Sequence, residues 1–176
     1  QKLEDNDVDS SLYYDYKALN ISKENANVEQ QVESYIRLIY GEVRMGNSTA
    51  ALEHYKNAHA LISDDIHSDN NIILEMYYAA IYAQLGLISK SMKILTETNK
   101  LILPTTSKAI LMDFHYYLAS LYHDLNDLDN CRNHLKKSIE YSREDKKNKR
   151  KVFKSYLLLS NTYIEVDSAM FYIKKA

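Results

Sequence analysis

Apolar and polar residues alternate along the chain with helical spacing, and the pattern breaks at regular places. Leu12, Tyr16 and Leu19 share one face of a predicted first helix over 9–22. Asn27 caps a second helix over 28–45, which Gly46 stops because glycine enters the left-handed region without a Cβ clash. Ser48 opens a third helix with Leu52, Tyr55, Ala58, Leu61 and Ile62, ended by the polar stretch 63–70. The plan recurs as a helix over 71–85 stopped by Gly86 and another over 89–103 closed by Pro104. It recurs again over 107–125, with Asn126 in the place of the glycines and Asp127 capping a partner that runs to 143. A last pair is predicted over 149–166 and 167–176.

Small residues keep step with this plan. Ser11, Ala51, Ser91, Cys131 and Ala169 are separated by 40, 40, 40 and 38 positions, and Ala18, Ala58, Thr98, Ser138 and Ala176 repeat those steps seven residues further on. Self-similarity at such a period marks stacked units, none of which buries its apolar face alone. Tyr77-Tyr78-Ala79-Ala80-Ile81-Tyr82, Tyr117-Leu118-Ala119-Ser120-Leu121-Tyr122 and Leu158-Leu159-Ser160-Asn161-Thr162-Tyr163 each place a large residue, a small one and a tyrosine on one helix face. Small side chains let two helix axes approach to roughly 8–10 Å while the large neighbours interdigitate. The expected fold class is all-α, a single array over 1–176 forming an α-α superhelix of helical hairpins. It comprises a leading second helix at 9–22, full hairpins at 28–62, 71–103 and 107–143, and a final hairpin at 149–176.

In these residues the chain resembles the tetratricopeptide repeats. Leu118, Ala119, Tyr122, Asn126-Asp127, Cys131, Leu135 and Ser138 follow that family's order, as do Tyr35, Leu38, Gly46-Asn47, Ala51, Tyr55 and Ala58. The units are longer than the family's usual one, and its closing proline occurs once, as Pro104. Long units of this kind are similar to those of bacterial regulatory proteins in which a repeat array precedes a kinase or DNA-binding domain.

Composition agrees with a helical protein. Three Gly and one Pro in 176 residues leave little turn chemistry for hairpin sheets. No apolar run approaches the roughly 18 residues that cross a bilayer, so no membrane contact is expected. Charge is uneven: residues 1–88 carry 6 Lys and Arg against 14 Asp and Glu, whereas 89–176 carry 16 against 10. An array that binds nucleic acid would be basic throughout, and the acidic first half opposes that role. The run Lys146-Lys147-Asn148-Lys149-Arg150-Lys151 reads as a solvated interhelical linker. The single Cys131 fills a small-residue slot, which its size explains; the compartment is open between cytoplasm and periplasm.

Catalysis is not expected, since no glycine-rich phosphate loop, Gly-x-Ser-x-Gly turn or buried carboxylate pair is present. The six histidines lack metal-ligand spacing and read as surface or groove residues, with His123 beside Asp124 the one pair of interest; no cofactor is expected. Most of the 16 tyrosines read as packing residues.

The family resemblance implies that the first helix of each hairpin lines a concave, peptide-binding face. Its positions here are Ile36, Tyr40, Val43 and Arg44, then Met76, Ala80, Ala83 and Gln84, then Tyr116, Ser120, His123 and Asp124, and lastly Leu157, Asn161 and Ile164. The chaperone-binding members use a Lys/Asn/Arg set, and those places hold Ile36, Tyr40 and Ala80, so a co-chaperone role is disfavoured. The resemblance thus implies a sensor or interaction region of a bacterial signalling or transcription regulator that binds a protein or peptide. The alternative is a scaffold forming a homo-oligomer through its end helices; an RNA-binding array ranks below both. Residues 8–18 match 166–176 at six of eleven positions, so the first segment reads as a second helix without its first, in a fragment whose effector sequence is expected beyond Ala176.

Overall fold

In a computed structural model, which describes residues 2–62, 68–142, 149–163 and 166–175, every regular element among the described residues is helical. The helices are α1 (Lys2–Glu24), α2 (Val28–Met45), α3 (Ser48–His59), α4 (Asp69–Gln84), α5 (Ile88–Thr98), α6 (Lys108–Asp124), α7 (Leu128–Ser142), α8 (Lys149–Asn161) and α9 (Val166–Ile173), with a short 3-10 turn at Asn99–Leu101. The chain divides into two units, Gln1–Ile102 and Leu103–Ala176. In the first, α1 packs on α2, α2 on α3, and α4 on α2, α3 and α5; in the second, α6, α7, α8 and α9 pack in sequence. The fold class is all-α, built from helical hairpins.

Four turns share one closure. Ala26, Gly46, Gly86 and Asn126 adopt positive φ. After each, the next residue's N–H reaches back to the carbonyl of Ser22, Glu42, Tyr82 or Tyr122 at 2.8–2.9 Å. This is the Schellman arrangement, which satisfies carbonyls left over at a helix end. In three of the four that next residue also caps the following helix. The Asn27 and Asn47 side chains accept from Gln30 and Ala50 N–H, and Asp127 accepts from Asn130 N–H. Leu87 makes no such bond. One residue thus ends one helix and starts the next, which makes tight antiparallel hairpins.

Several boundaries differ from the pattern-based ones. The first helix begins at Lys2 rather than at 9, since neither Gly nor Pro interrupts residues 2–8. The third ends at His59, and Ala60 and Leu61 form a turn. The fourth begins at Asp69 rather than 71 because the Ser68 hydroxyl accepts from Asn71 N–H at 3.3 Å and sets the cap upstream. The fifth starts at Ile88 and tightens into the 3-10 turn after Thr98. The eighth ends at Asn161, not 166, where Thr162 and Tyr163 N–H bond three residues back, to Leu159 and Ser160. The polar stretch 63–67 and the basic residues 146–148 lie outside the described residues.

The small-residue register holds in α3, α5 and α7. Ala51, Ser91, Cys131, Ala58, Thr98 and Ser138 are at most 1 % exposed. Two polar members also join helices: Ser91 Oγ donates to the Ala79 carbonyl at 2.7 Å, and Ser138 Oγ to the Met112 carbonyl at 2.9 Å. The register fails in α1, where Ser11 and Ala18 are exposed and Leu19 and Ser22 are buried instead. Helix α1 meets α2 at Gly41, where an added Cβ would lie 2.5 Å from Leu12 Cδ2.

Candidate functional site

In the first unit the first-helix face is carried by α2 and α4. Tyr40 is 44 % exposed, its ring centroid lies 6.1 Å from that of Tyr77, and the Arg44 guanidinium sits 5.7 Å over it. Arg44 is one turn beyond Tyr40 on α2, so helical geometry alone brings cation and ring together. Ile36, Val43, Ala80 and Ala83, on the same two helices, are half-buried. Gln84 is exposed, but its side chain is engaged: Nε2 donates to the Val43 carbonyl at 2.8 Å and Oε1 accepts from Ser48 Oγ at 2.7 Å. It fastens the end of α4 to the α2–α3 turn. Met76, expected on the surface, is buried at 2 % exposure. The reason is that α4 is flanked by α2, α3 and α5, so its buried arc takes in Ile72, Leu74, Met76, Ala79 and Ile81.

In the second unit, α6 carries Tyr116, Ser120, His123 and Asp124. Tyr116 is half-buried, and burial pushes its phenol up. Ser120 Oγ donates to the Tyr116 carbonyl at 3.2 Å, an intrahelical bond that occupies its proton. His123 Nδ1 lies 3.8 Å from Asp124 Oδ1, with His123 half-buried and Asp124 exposed. Leu157 and Asn161 are exposed on α8, which Lys151 ties to Asp113 of α6 at 2.6 Å. Ile164 lies outside the described residues.

Two polar groupings escaped the sequence reading, both built on histidines expected at the surface. His54 is buried at 9 % exposure; its Nε2 lies 3.0 Å from Tyr16 Oη, which is 3.4 Å from the buried Glu42 carboxylate. Asn47 Nδ2 donates to the other Glu42 oxygen at 2.9 Å. His54 Nδ1 is buried without a partner. The tautomer that leaves no proton stranded carries its hydrogen on Nε2, donates to Tyr16, and lets Tyr16 donate to Glu42. Burial lowers the proton affinity of His54 against the opposing pull of Glu42, so the ring is neutral near pH 7 and the chain of bonds latches α1 to α2 and α3. The second grouping is His115 with His134, whose Nδ1 atoms lie 2.9 Å apart across the α6–α7 hairpin. They stand 11 and 8 residues from Asn126 on the two arms of one hairpin, a pairing that spacing along one helix does not reveal.

Fold and site define an all-α hairpin protein with an amphipathic, tyrosine-bearing first-helix face. The chain matches no known family model and no functionally characterised protein in sequence. Among the described residues, no helix is long and apolar enough to cross a membrane.

Proposed function

We propose that the chain is a recognition module of tetratricopeptide type, which takes a peptide or protein segment on its first-helix faces as the sensor or interaction region of a signalling or transcription regulator. The observation that carries this reading is the Tyr40, Tyr77 and Arg44 group. A large amphipathic ring stands in water with a cation already stacked on it, the residue types that dominate binding energy at interfaces. Ile36 and Ala80, half-buried on the same two helices, add apolar surface suited to an extended segment with an apolar or aromatic side chain. The regulator setting rests on the likeness of the long units to those of bacterial regulatory proteins.

The test is selection of linear peptides from a random library on the whole chain, followed by titration of a selected peptide against Tyr40→Ala and Arg44→Ala. Loss of affinity by about ten-fold or more in Tyr40→Ala supports the reading. Unchanged affinity in both variants, or no enrichment, overturns it. A scaffold is the second reading, favoured by the exposed apolar residues Tyr13, Tyr14 and Ile21 on α1 and Phe171 and Ile173 on α9. It requires self-association at micromolar concentration without peptide, read by sedimentation.

A further inference from the structure

Neither His115 nor His134 is among the first-helix face positions named above, and the geometry of the pair is specific. The rings come from facing helices, with centroids 5.1 Å apart and Nδ1 atoms at 2.9 Å. Each ring is fixed in plane by a tyrosine: His115 lies parallel to Tyr141 at 5.6 Å and 2°, and His134 to Tyr122 at 5.4 Å and 14°. A separation of 2.9 Å accommodates one shared hydrogen, so one ring carries Nδ1–H and the other presents a lone pair. The two Nδ1 atoms thus face each other across the hairpin with one hydrogen between them.

We propose that His115 and His134 form a bidentate site for a divalent late-transition-metal ion such as Zn²⁺, bridging α6 and α7. Two nitrogens each about 2.0–2.1 Å from a tetrahedral ion stand about 3.3 Å apart, so the nitrogens separate by a few tenths of an ångström and both rings turn until their lone pairs meet at the ion. The proton balance closes internally. The donor ring moves its hydrogen from Nδ1 to Nε2, the acceptor ring already holds Nε2–H, and no proton is released. Among the described residues no group of three or more His, Cys, Asp or Glu side chains converges, so water fills the remaining positions. Two protein ligands and the nearby Lys137 ammonium make this an open, exchangeable site rather than a structural one.

The test is titration of the whole chain with Zn²⁺ alone, followed by long-range ¹H–¹⁵N spectra of the imidazole rings and by calorimetry. The expected result is binding of one equivalent, with one of the two rings converting from the Nδ1–H to the Nε2–H tautomer. His115→Gln and His134→Gln should each weaken binding by about ten-fold or more, while the exposed His59→Gln leaves it unchanged. The ring spectra of the unaltered chain decide the matter even if a variant fails to fold. Shifts confined to His54, His59, His67 or His123, affinity insensitive to both substitutions, or no binding at millimolar Zn²⁺ overturns the proposal.

Discussion

Gly41→Ala tests whether α1 rests on α2 as the structure has it. Glycine inside a helix forfeits about 0.5–1 kcal/mol relative to alanine, so the substitution alone should stabilise. Here the added methyl would meet Leu12, at 2.5 Å from Cδ2 and 3.0 Å from Cγ. Ordinary carbon contacts are about 3.5–4.0 Å, so Leu12 must retreat by about 1 Å or α1 must lift. Overpacking of this kind costs about 1–3 kcal/mol. Leu12 is half-buried with freedom to turn, which places it near the lower end of that range. The net expectation is a loss of no more than about 0.5 kcal/mol, or about 1–2 °C in Tm for a chain of this size. In a Leu12→Ala background the obstacle is gone, and Gly41→Ala should stabilise by about 0.5–1 kcal/mol. Urea unfolding followed by circular dichroism on the four chains gives the coupling, expected at about 1–2 kcal/mol. Equal stabilisation by Gly41→Ala in both backgrounds would refute the packing of α1 against Gly41.

Two further outcomes follow from local geometry. His115 is held below its ordinary 6.5, at about 4, so below pH 6.5 the unfolded chain takes up its proton while the folded chain does not. Stability should therefore fall between about pH 6.5 and 4 and level off below, by about 1–2 kcal/mol once solvent screening of this half-buried ring is allowed for; urea midpoints across that range should fall less steeply in His115→Gln, and an identical slope would contradict the assignment. Gly46 has φ +80° with nothing within 4 Å of an added Cβ, so Gly46→Ala should lose about 1 kcal/mol from backbone strain alone, with the urea slope unchanged; no loss would mean that the turn is not left-handed.

Much of the fold was legible because its punctuation is local. Asn27, Gly46, Asn47, Gly86, Ser107, Asn126 and Asp127 act within a turn of where they stand, and each ends or starts a helix where its chemistry says it should. The left-handed residue at Ala26 was hidden, since alanine carries no preference for that region; only Asn27 after it hinted at the turn. The interior glycine at 41 was a further signal, as such residues often mark a close approach of backbone. Of the residues expected on the first-helix face, Tyr40, Arg44 and Gln84 are exposed and Met76 is buried.

The sequence by itself determined the helical class, the hairpin turns and the small-residue register of α3, α5 and α7, because periodicity and capping depend on residues within a few positions of one another. Tertiary structure decided which arc of each helix is covered. Helix α4 buries Met76 because three helices surround it, whereas α1, packed on α2, leaves Ser11 and Ala18 in water although their counterparts in α3, α5 and α7 are buried. It also decided the polar partnerships of Tyr16, Glu42 and His54 and of His115 with His134, whose bonded partners stand 19 to 38 positions apart and meet only when helices pack. Burial and long-range hydrogen bonding are properties of neighbours in space, and those neighbours exist only once the hairpins have closed.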